Sequence, residues 1–220
     1  MTGFFVTGTD TGVGKTVVSA ALVSRYRAHV PVRYWKPIQT GIEQDDDTSD
    51  VARLAACRPD ELFRSGIRLP RAVSPHLAAR LSGTTIALQP LVESFARQPD
   101  PTRWIVEGAG GVLVPINATQ TMADLMCALA LPVVVVARSG LGTINHTLLT
   151  IEALHRREIQ VAGIVLVGDR DAENRMAIER YAGVTVVAEM PRLAPLTPAA
   201  LQVWAASELD PDGRLLEGWR

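Results

Sequence analysis

Apolar residues along the chain form two kinds of pattern, short continuous runs and longer stretches that repeat every three or four positions. The short runs are rich in Val and Ile, which is typical of strands covered on both faces of a parallel sheet. They predict strands at residues 3–7, 32–36, 104–107, 133–137, 162–167 and 185–188. The amphipathic stretches predict helices at residues 15–28, 48–56, 75–81, 88–97, 122–130, 144–156 and 172–181. This alternation indicates repeated β-α-β units, and therefore an α/β fold with a mostly parallel central sheet and helices on both faces.

Length and composition narrow the class of protein. The chain is long enough for a single α/β domain over residues 1–220, in which the proline-rich residues 191–198 are expected to be a loop over the sheet. A net charge of −1 gives no reason to expect nucleic acid or a membrane as a partner. Cys57 and Cys127 are far apart, so neither a disulfide framework nor a zinc site is expected. The most apolar stretch, residues 125–137, is too short to span a bilayer, and we expect a cytoplasmic protein.

The most informative motif is a glycine-rich loop. Residues 8–16 read Gly-Thr-Asp-Thr-Gly-Val-Gly-Lys-Thr and lie between the first predicted strand and the first predicted helix. This context is the one that the phosphate-binding loop of P-loop NTPases requires, with Lys15 reaching the outer phosphates and the Thr16 hydroxyl on Mg²⁺. The first glycine is Gly8 rather than residue 9, so the loop is one residue longer than the usual pattern. A glycine-rich turn that binds nothing is the alternative.

Polar residues also follow the other central strands. Lys36 ends the second predicted strand, Glu107 ends the third, and residues 138–145 follow the fourth. Ligands of open parallel sheets bind beyond the carboxyl ends of the strands, so these segments predict one site. Lys36 would stabilise a transferring phosphoryl group, unless its side chain extends into solvent. Glu107 would contact Mg²⁺, unless it caps the loop after its strand.

The acidic run at residues 45–47 and the nearby Asp50 provide two alternatives for one metal ligand. Asp45 and Asp46 are expected to lie in a solvated loop, and Asp47 is expected to be the N-cap of the next helix. Together with Thr16 and Glu107, a third acid would make a partial Mg²⁺ shell. Asp47 and Asp50 compete for this place, and spacing alone does not decide between them. Separately, the predicted helix start after residues 140–145 offers backbone N–H groups that could hold a substrate carboxylate.

In order along the chain, several segments resemble the dethiobiotin synthetase family. They are Gly8–Thr16, Lys36-Pro37-x-x-Thr40-Gly41, Ser74-Pro75-His76, Val106-Glu107-Gly108-Ala109-Gly110-Gly111 and Gly142-Thr143-Ile144-Asn145-His146. The resemblance extends from the N-terminus to about residue 167. It implies a Mg²⁺-dependent enzyme of biotin synthesis that uses ATP to carboxylate and cyclise 7,8-diaminononanoate to dethiobiotin, through a carbamate and a carbamic–phosphoric anhydride. It also implies a homodimer with its site at the subunit interface.

The resemblance assigns a role to particular residues. The phosphates would be held by Gly12, Val13, Gly14, Lys15, Thr16 and Val17, and the nucleotide also by Asp47, Glu107, Gly108, Ala109, Gly110, Pro191, Arg192 and Leu193. Lys15 and Lys36 would be the catalytic residues. Thr40 would bind the carbamate or diamine, and Gly142, Thr143, Ile144 and Asn145 of the neighbouring subunit would bind the substrate carboxylate. Thr16, Asp47 and Glu107 would surround Mg²⁺.

Two positions depart from the family pattern. Gly12 stands where some members have Glu, which should leave phosphate binding intact. Val167 stands where members that read adenine have Asn, and a valine side chain cannot hydrogen-bond a purine edge. We therefore predict a relaxed or altered base preference.

Other classes of protein fit the chain less well. Partition ATPases usually carry a second lysine early in this loop, where the chain has Thr9-Asp10. The cobyrinic acid amidation enzymes need a glutaminase domain, for which 220 residues leave no room. A purely structural nucleotide-binding module leaves Lys36 and Thr40 unexplained.

Overall fold

The computed structural model describes residues 1–98 and 101–217, whose strands form a seven-stranded sheet and a separate two-stranded sheet. The strands are β1 (Thr2–Gly8), β2 (Val32–Trp35), β3 (Ile38–Thr40), β4 (Leu62–Phe63), β5 (Ile67–Leu69), β6 (Arg103–Gly111), β7 (Val133–Arg138), β8 (Val161–Val167) and β9 (Val186–Met190). The large sheet has the order β4-β2-β6-β1-β7-β8-β9, and all its neighbouring strands are parallel. The predicted α/β class is confirmed.

Helices cover both faces of the large sheet. They are α1 (Lys15–Tyr26), α2 (Asp47–Leu54), α3 (Pro75–Leu81), α4 (Leu88–Ala96), α5 (Met122–Leu129), α6 (Thr143–His155), α7 (Ala172–Ala182), α8 (Pro198–Ser207) and α9 (Arg214–Glu217). One apolar core lies between the sheet and the group α1, α2, α8 and α9. A second core lies between the opposite face and the helices α3 to α7. In the part of the chain that the structure describes, no helix has the length and apolar content needed to cross a membrane.

The predicted elements are confirmed to within a few residues, with some differences at functional positions. The strand that contains Glu107 does not end there, because β6 continues to Gly111. Lys36 comes directly after β2 rather than within it. The expected loop is observed up to Thr197, but the unpredicted helix α8 begins at Pro198. The sequence pattern also missed the short strands β3, β4 and β5.

Parallel register brings the polar strand ends together. Trp35 of β2 lies beside Val106 of β6, so the next residues along each strand, Lys36 and Glu107, are neighbours at the same edge of the sheet. In turn Glu107 lies beside Val6 of β1, close to the start of the glycine-rich loop. The fold therefore positions both residues next to that loop.

The outer edges of the large sheet are short or covered. At one edge, β4 consists of only two residues. At the other edge, the backbone N–H of Val186 in β9 donates to Glu179 Oε1 (2.9 Å), and its carbonyl accepts from Arg175 Nη2 (3.2 Å). Side chains of α7 therefore occupy backbone groups that another strand would need.

Candidate functional site

A cavity of about 570 Å³ lies at the carboxyl end of the central strands. Its lining comes from four regions, namely the glycine-rich loop with the start of α1, the segment from Lys36 to Asp47, residues 72–75, and the end of β6. Of the residues singled out in the sequence, it contains Gly12, Gly14, Lys15, Thr16, Val17, Lys36, Thr40, Asp47, Glu107, Ala109 and Gly110. The volume is within the usual range for small-ligand sites.

The glycine-rich loop has the backbone conformation that its glycines permit. Gly12 and Gly14 have φ values of +69° and +103°, which L-residues with side chains rarely adopt. Gly14 is the N-cap of α1, so the positive end of this helix faces the cavity. Lys15 Nζ donates to the Asp10 carbonyl at 2.9 Å, folding its side chain across the loop. This arrangement is suited to binding an anion.

A compact polar network forms the floor of the cavity. The Lys36 ammonium donates to Asp47 Oδ2 (2.6 Å), Glu107 Oε1 (2.9 Å) and the Gly108 carbonyl (2.8 Å). The Thr16 hydroxyl lies 3.0 Å from Asp47 Oδ1 and 3.0 Å from Glu107 Oε1. Lys36 and Glu107 are almost completely inaccessible to solvent. The alternative of a lysine side chain extending into solvent is therefore wrong.

Burial and charge act in opposite directions on the two lysines. Burial, assisted by the nearby charge of Lys36, lowers the pKa of Lys15 to about 8. Burial alone would lower the pKa of Lys36 as well. The carboxylates of Glu107 and Asp47 outweigh this effect and hold the pKa of Lys36 above its ordinary value. Although burial opposes it, the Lys36 ammonium likewise keeps the pKa of Asp47 below its usual range.

The start of α2 decides which aspartate faces the cavity. The N-cap is Asp46, whose side chain accepts from the backbone N–H groups of Thr48 (3.0 Å) and Ser49 (3.3 Å). The expectations that Asp47 is the cap and that Asp46 is merely a solvated loop residue are both wrong. Because Asp46 takes the capping position, the Asp47 carboxylate is left to contact Thr16 and Lys36. Asp50, the competitor of Asp47, instead forms an exposed ion pair with Arg53.

The donor atoms of Thr16, Asp47 and Glu107 are suited to Mg²⁺. All are oxygens, and the Thr16 hydroxyl lies at hydrogen-bond distance from both carboxylates. Within residues 1–98 and 101–217, no three His, Cys, Asp or Glu side chains are grouped to hold a metal by themselves. Mg²⁺ would therefore need further oxygens from water or phosphate, which is its usual coordination in phosphate-binding sites.

Several residues from the sequence-based set lie outside the cavity lining. The Val13 side chain is buried in the core behind the loop, so only its backbone can face a phosphate. Gly108 takes part through its carbonyl, which accepts from Lys36. Two segments do not line the cavity, the start of α6 at Gly142, Thr143, Ile144 and Asn145 and the loop at Pro191, Arg192 and Leu193. Their assignment to substrate and nucleotide stays a prediction.

The structure also identifies residues that the sequence did not reveal. Tyr34 of β2, two positions before Lys36, donates its hydroxyl to Glu107 Oε2 at 2.9 Å. Alternation along the strand was the signal that could have found it. Gln39 and Asp45 line the cavity beside Thr40. Arg138, at the end of β7, donates to the carbonyl of Thr11 at 3.2 Å and so braces the glycine-rich loop.

The distribution of lysine is unusually restricted. The sequence contains only two lysines, Lys15 and Lys36, whereas its other 20 basic residues are arginines. Both lysines line the cavity. Every side-chain amine of this protein therefore lies at the candidate site, which makes lysine-specific probes selective for it.

Sequence comparisons give one consistent family. A family model described as "AAA domain" matches residues 2–200. The ATP-dependent dethiobiotin synthetase BioD of Paramagnetospirillum magneticum is 50% identical over 201 residues, which cover 91% of this chain and 93% of that protein. The protein of the same name from Agrobacterium fabrum is 43% identical over 198 residues, or 90% of each chain.

Solved structures with a similar fold are much more distant in sequence. Apo McdA of Cyanthece superposes with a TM-score of 0.63 at 12% identity, and the alignment covers all of both chains. MinD of Pyrococcus horikoshii, complexed with Mg-ADP, superposes with a TM-score of 0.58 at 16% identity, covering 100% of this chain and 95% of that one. At such identities the likeness shows the fold alone.

Proposed function

This chain belongs to the family of ATP-dependent dethiobiotin synthetases, and we propose that it uses ATP to convert 7,8-diaminononanoate and CO₂ into dethiobiotin, ADP and phosphate. The observation that carries the proposal is the buried Lys36–Asp47–Glu107 network next to the phosphate loop. Such an arrangement can bind a nucleoside triphosphate and stabilise the phosphoryl group during transfer without a protein nucleophile.

Each part of the cavity would have a role in this reaction. One substrate amine captures CO₂ as a carbamate, whose oxygen attacks the γ-phosphorus of ATP and expels ADP. The second amine then attacks the carbamic–phosphoric anhydride, closing the five-membered urea ring and releasing phosphate. Lys15 and the loop N–H groups would hold the phosphates, while Lys36 and Thr40 would position the carbamate. Bound by Thr16, Asp47 and Glu107, Mg²⁺ would supply positive charge to the β- and γ-phosphates.

The Lys36 ammonium has to change partners for this role. It donates to three oxygens, those of Asp47, Glu107 and Gly108, and an ammonium has three N–H donors. A divalent cation next to the two carboxylates would compensate their charge in its place. Lys36 could then direct N–H groups toward an anionic carbamate in the cavity, which it already lines.

We propose further that two copies of the chain complete the site. The start of α6 offers backbone N–H groups for a substrate carboxylate, but it lies outside the cavity of its own chain. Next to it Leu141 is fully exposed, and Leu113 and Leu149 are also exposed, as expected for an interface. If sites are shared, mixing inactive Lys36→Ala protein with a variant inactivated at Asn145 should restore part of the activity. No restoration after the subunits have exchanged would contradict shared sites.

The residue at the end of β8 bears on which nucleotide base the site accepts. Val167, at the end of β8, lies so close to the loop that a Cβ atom on Gly14 would be 3.3 Å from its methyl groups. This apolar contact offers no hydrogen bond to a base. We therefore propose that the enzyme accepts GTP or CTP as well as ATP. Comparing the three as phosphate donors at equal concentration tests this, and a strong preference for ATP alone would contradict it.

The direct test is synthesis of the product. Purified protein is incubated with 7,8-diaminononanoate, bicarbonate, Mg²⁺ and ATP, and dethiobiotin is measured by mass spectrometry. We expect product from the native chain and loss of most of the activity in Lys15→Ala and Lys36→Ala. Arg156→Ala, an exposed change far from the cavity, serves as the matched control. Absence of dethiobiotin with every common nucleoside triphosphate would refute the proposal and would favour a nucleotide-dependent switch.

A further inference from the structure

We propose that Tyr34 is a positioning residue of the metal site, which holds Glu107 so that only its Oε1 atom faces the cation. The inference depends on the metal site proposed above. Its basis is that the two oxygens of Glu107 have different partners. Oε1 accepts from Thr16 (3.0 Å) and Lys36 (2.9 Å), whereas Oε2 accepts from the Tyr34 hydroxyl (2.9 Å).

The geometry leaves this carboxylate little freedom. Glu107 and Tyr34 are both fully buried, and their strands are adjacent, with Tyr34 beside Ile105 in the parallel register. Tyr34, Ile105 and Glu107 lie on the face covered by α1, since side chains two positions apart share one side of a strand. The hydroxyl thus approaches Glu107 from within the core, and Tyr34 does not line the cavity. Rotating Oε2 toward the cavity would remove the acceptor from a buried donor, which is unfavourable.

This restraint has a chemical consequence for the choice of cation. Mg²⁺ prefers six oxygens in a small octahedral shell, whereas Ca²⁺ accepts larger shells and often takes both oxygens of a carboxylate. Because Oε2 is directed toward the buried Tyr34 hydroxyl, Glu107 presents only Oε1 to a cation in the cavity. Tyr34 would therefore favour Mg²⁺ over Ca²⁺, although it lies outside the direct contact shell of the metal. Hydrogen bonds of this kind to a ligand typically change metal affinity by about 10- to 100-fold.

The experiment uses Mn²⁺ as a spectroscopic stand-in for Mg²⁺, with ADP present and no turnover. Tyr34→Phe removes the hydroxyl and keeps the ring. We expect Mn²⁺ affinity, measured by electron paramagnetic resonance, to fall about 10- to 100-fold. Competition with Mg²⁺ and Ca²⁺ should show a shift in favour of Ca²⁺. ADP binding without metal should be retained, since the loop residues that contact phosphate are unchanged.

Tyr26→Phe is the matched control. Tyr26 of α1 is also buried, and its hydroxyl donates to the carboxylate of Asp210 (2.8 Å). Neither residue lines the cavity. A general loss of stability would affect both variants, whereas a positioning role predicts a change of metal selectivity in Tyr34→Phe alone. Equal Mn²⁺ affinity and equal Ca²⁺ competition in native and Tyr34→Phe protein would overturn the inference. Failure of the native chain to bind Mn²⁺ with ADP would overturn the metal site itself.

A second measurement does not require the Tyr34→Phe variant to fold. The chain has three tyrosines, so 3-fluorotyrosine labelling gives three ¹⁹F resonances, assigned with the Phe variants at Tyr26 and the exposed Tyr181. We expect the Tyr34 resonance to move when Mg²⁺ is added to the ADP complex, because the charge on its hydrogen-bond acceptor is then shared with the cation. A Tyr34 resonance that stays in place, with nucleotide and metal both bound, would refute the role.

Discussion

Replacing Lys15 by methionine should make the ligand-free protein more stable. The amine is buried close to the ammonium of Lys36, and its pKa falls from the ordinary 10.5 to about 8. Each pKa unit corresponds to about 1.36 kcal/mol, so the charged Lys15 side chain disfavours folding by about 3 kcal/mol at neutral pH. Methionine fills a similar volume and carries no charge. The hydrogen bond that it removes goes to the carbonyl of the exposed Asp10.

The direction of the pH dependence follows from the lowered pKa. Below pH 8 the lysine is charged in both the folded and the unfolded chain, and the full penalty applies. Between pH 8 and 10.5 the unfolded chain binds more protons than the folded one, so the free energy of unfolding of the native protein rises with pH relative to the variant. The advantage of Lys15→Met should therefore shrink by about half between pH 7 and pH 9.5.

Urea unfolding followed by tryptophan fluorescence measures this difference, since Trp35 and Trp104 are fully buried. The control is the same substitution at the other lysine. Lys36→Met leaves Asp47 and Glu107 without their ion-pair partner and should reduce the free energy of unfolding by roughly 3–5 kcal/mol. The electrostatic reasoning therefore predicts changes of opposite sign in the free energy of unfolding at the two lysines. If Lys15→Met is no more stable than the native chain at pH 7, or if its advantage does not narrow at high pH, the electrostatic reasoning is wrong.

Three further results are expected. Asp46→Ala removes the cap of α2 and should lower the free energy of unfolding by about 1 kcal/mol in urea titrations; the Mg²⁺ concentration needed for half-maximal activity should also rise, because the cap positions Asp47. Tyr26→Phe should cost about 1.5–3 kcal/mol, seen as a lower Tm, since Asp210 loses a buried charge-assisted hydrogen bond; an unchanged Tm would show that the bond adds nothing. ADP affinity should fall about tenfold between pH 7 and pH 9, as Lys15 loses its proton; calorimetry that finds constant affinity would contradict the lowered pKa.

The fold class could be predicted from the sequence because regular apolar patterns extend over most of its length. Every strand of four or more residues was predicted, and so were the helices from α1 to α7. Strands β3, β4 and β5 were missed because two or three residues give no measurable period. The helix α8 was missed because prolines suggested a loop. Its Thr197 cap, whose hydroxyl accepts from Ala200 N–H at 3.2 Å, and its Pro198 at the first position are in fact a helix-start signal.

The candidate site likewise contains residues that a local motif reveals and residues that only the fold brings together. Residues within a motif, such as Lys15 and Thr16, can be read locally, whereas the pairing of Lys36 with Glu107 depends on which strands become neighbours. The choice between Asp46 and Asp47 for the helix cap differs by one residue, and spacing does not resolve it. Tyr34 was missed, despite its alternation with Lys36, because a tyrosine in an apolar strand is usually a core residue. The single-domain organisation over residues 1–220 stays a prediction.

The covered edges of the sheet bear on how copies of this protein can associate. In the described part of the chain, β4 is only two residues long and the Val186 backbone of β9 is engaged by Glu179 and Arg175, which makes both edges poorly suited to strand addition. Two copies would therefore meet through helices and loops, leaving the sheets separate. The same short and covered edges also disfavour fibril-like stacking of sheets. Replacing both Arg175 and Glu179 of α7 by alanine should lower solubility on prolonged incubation while leaving the candidate cavity, which neither residue lines, intact.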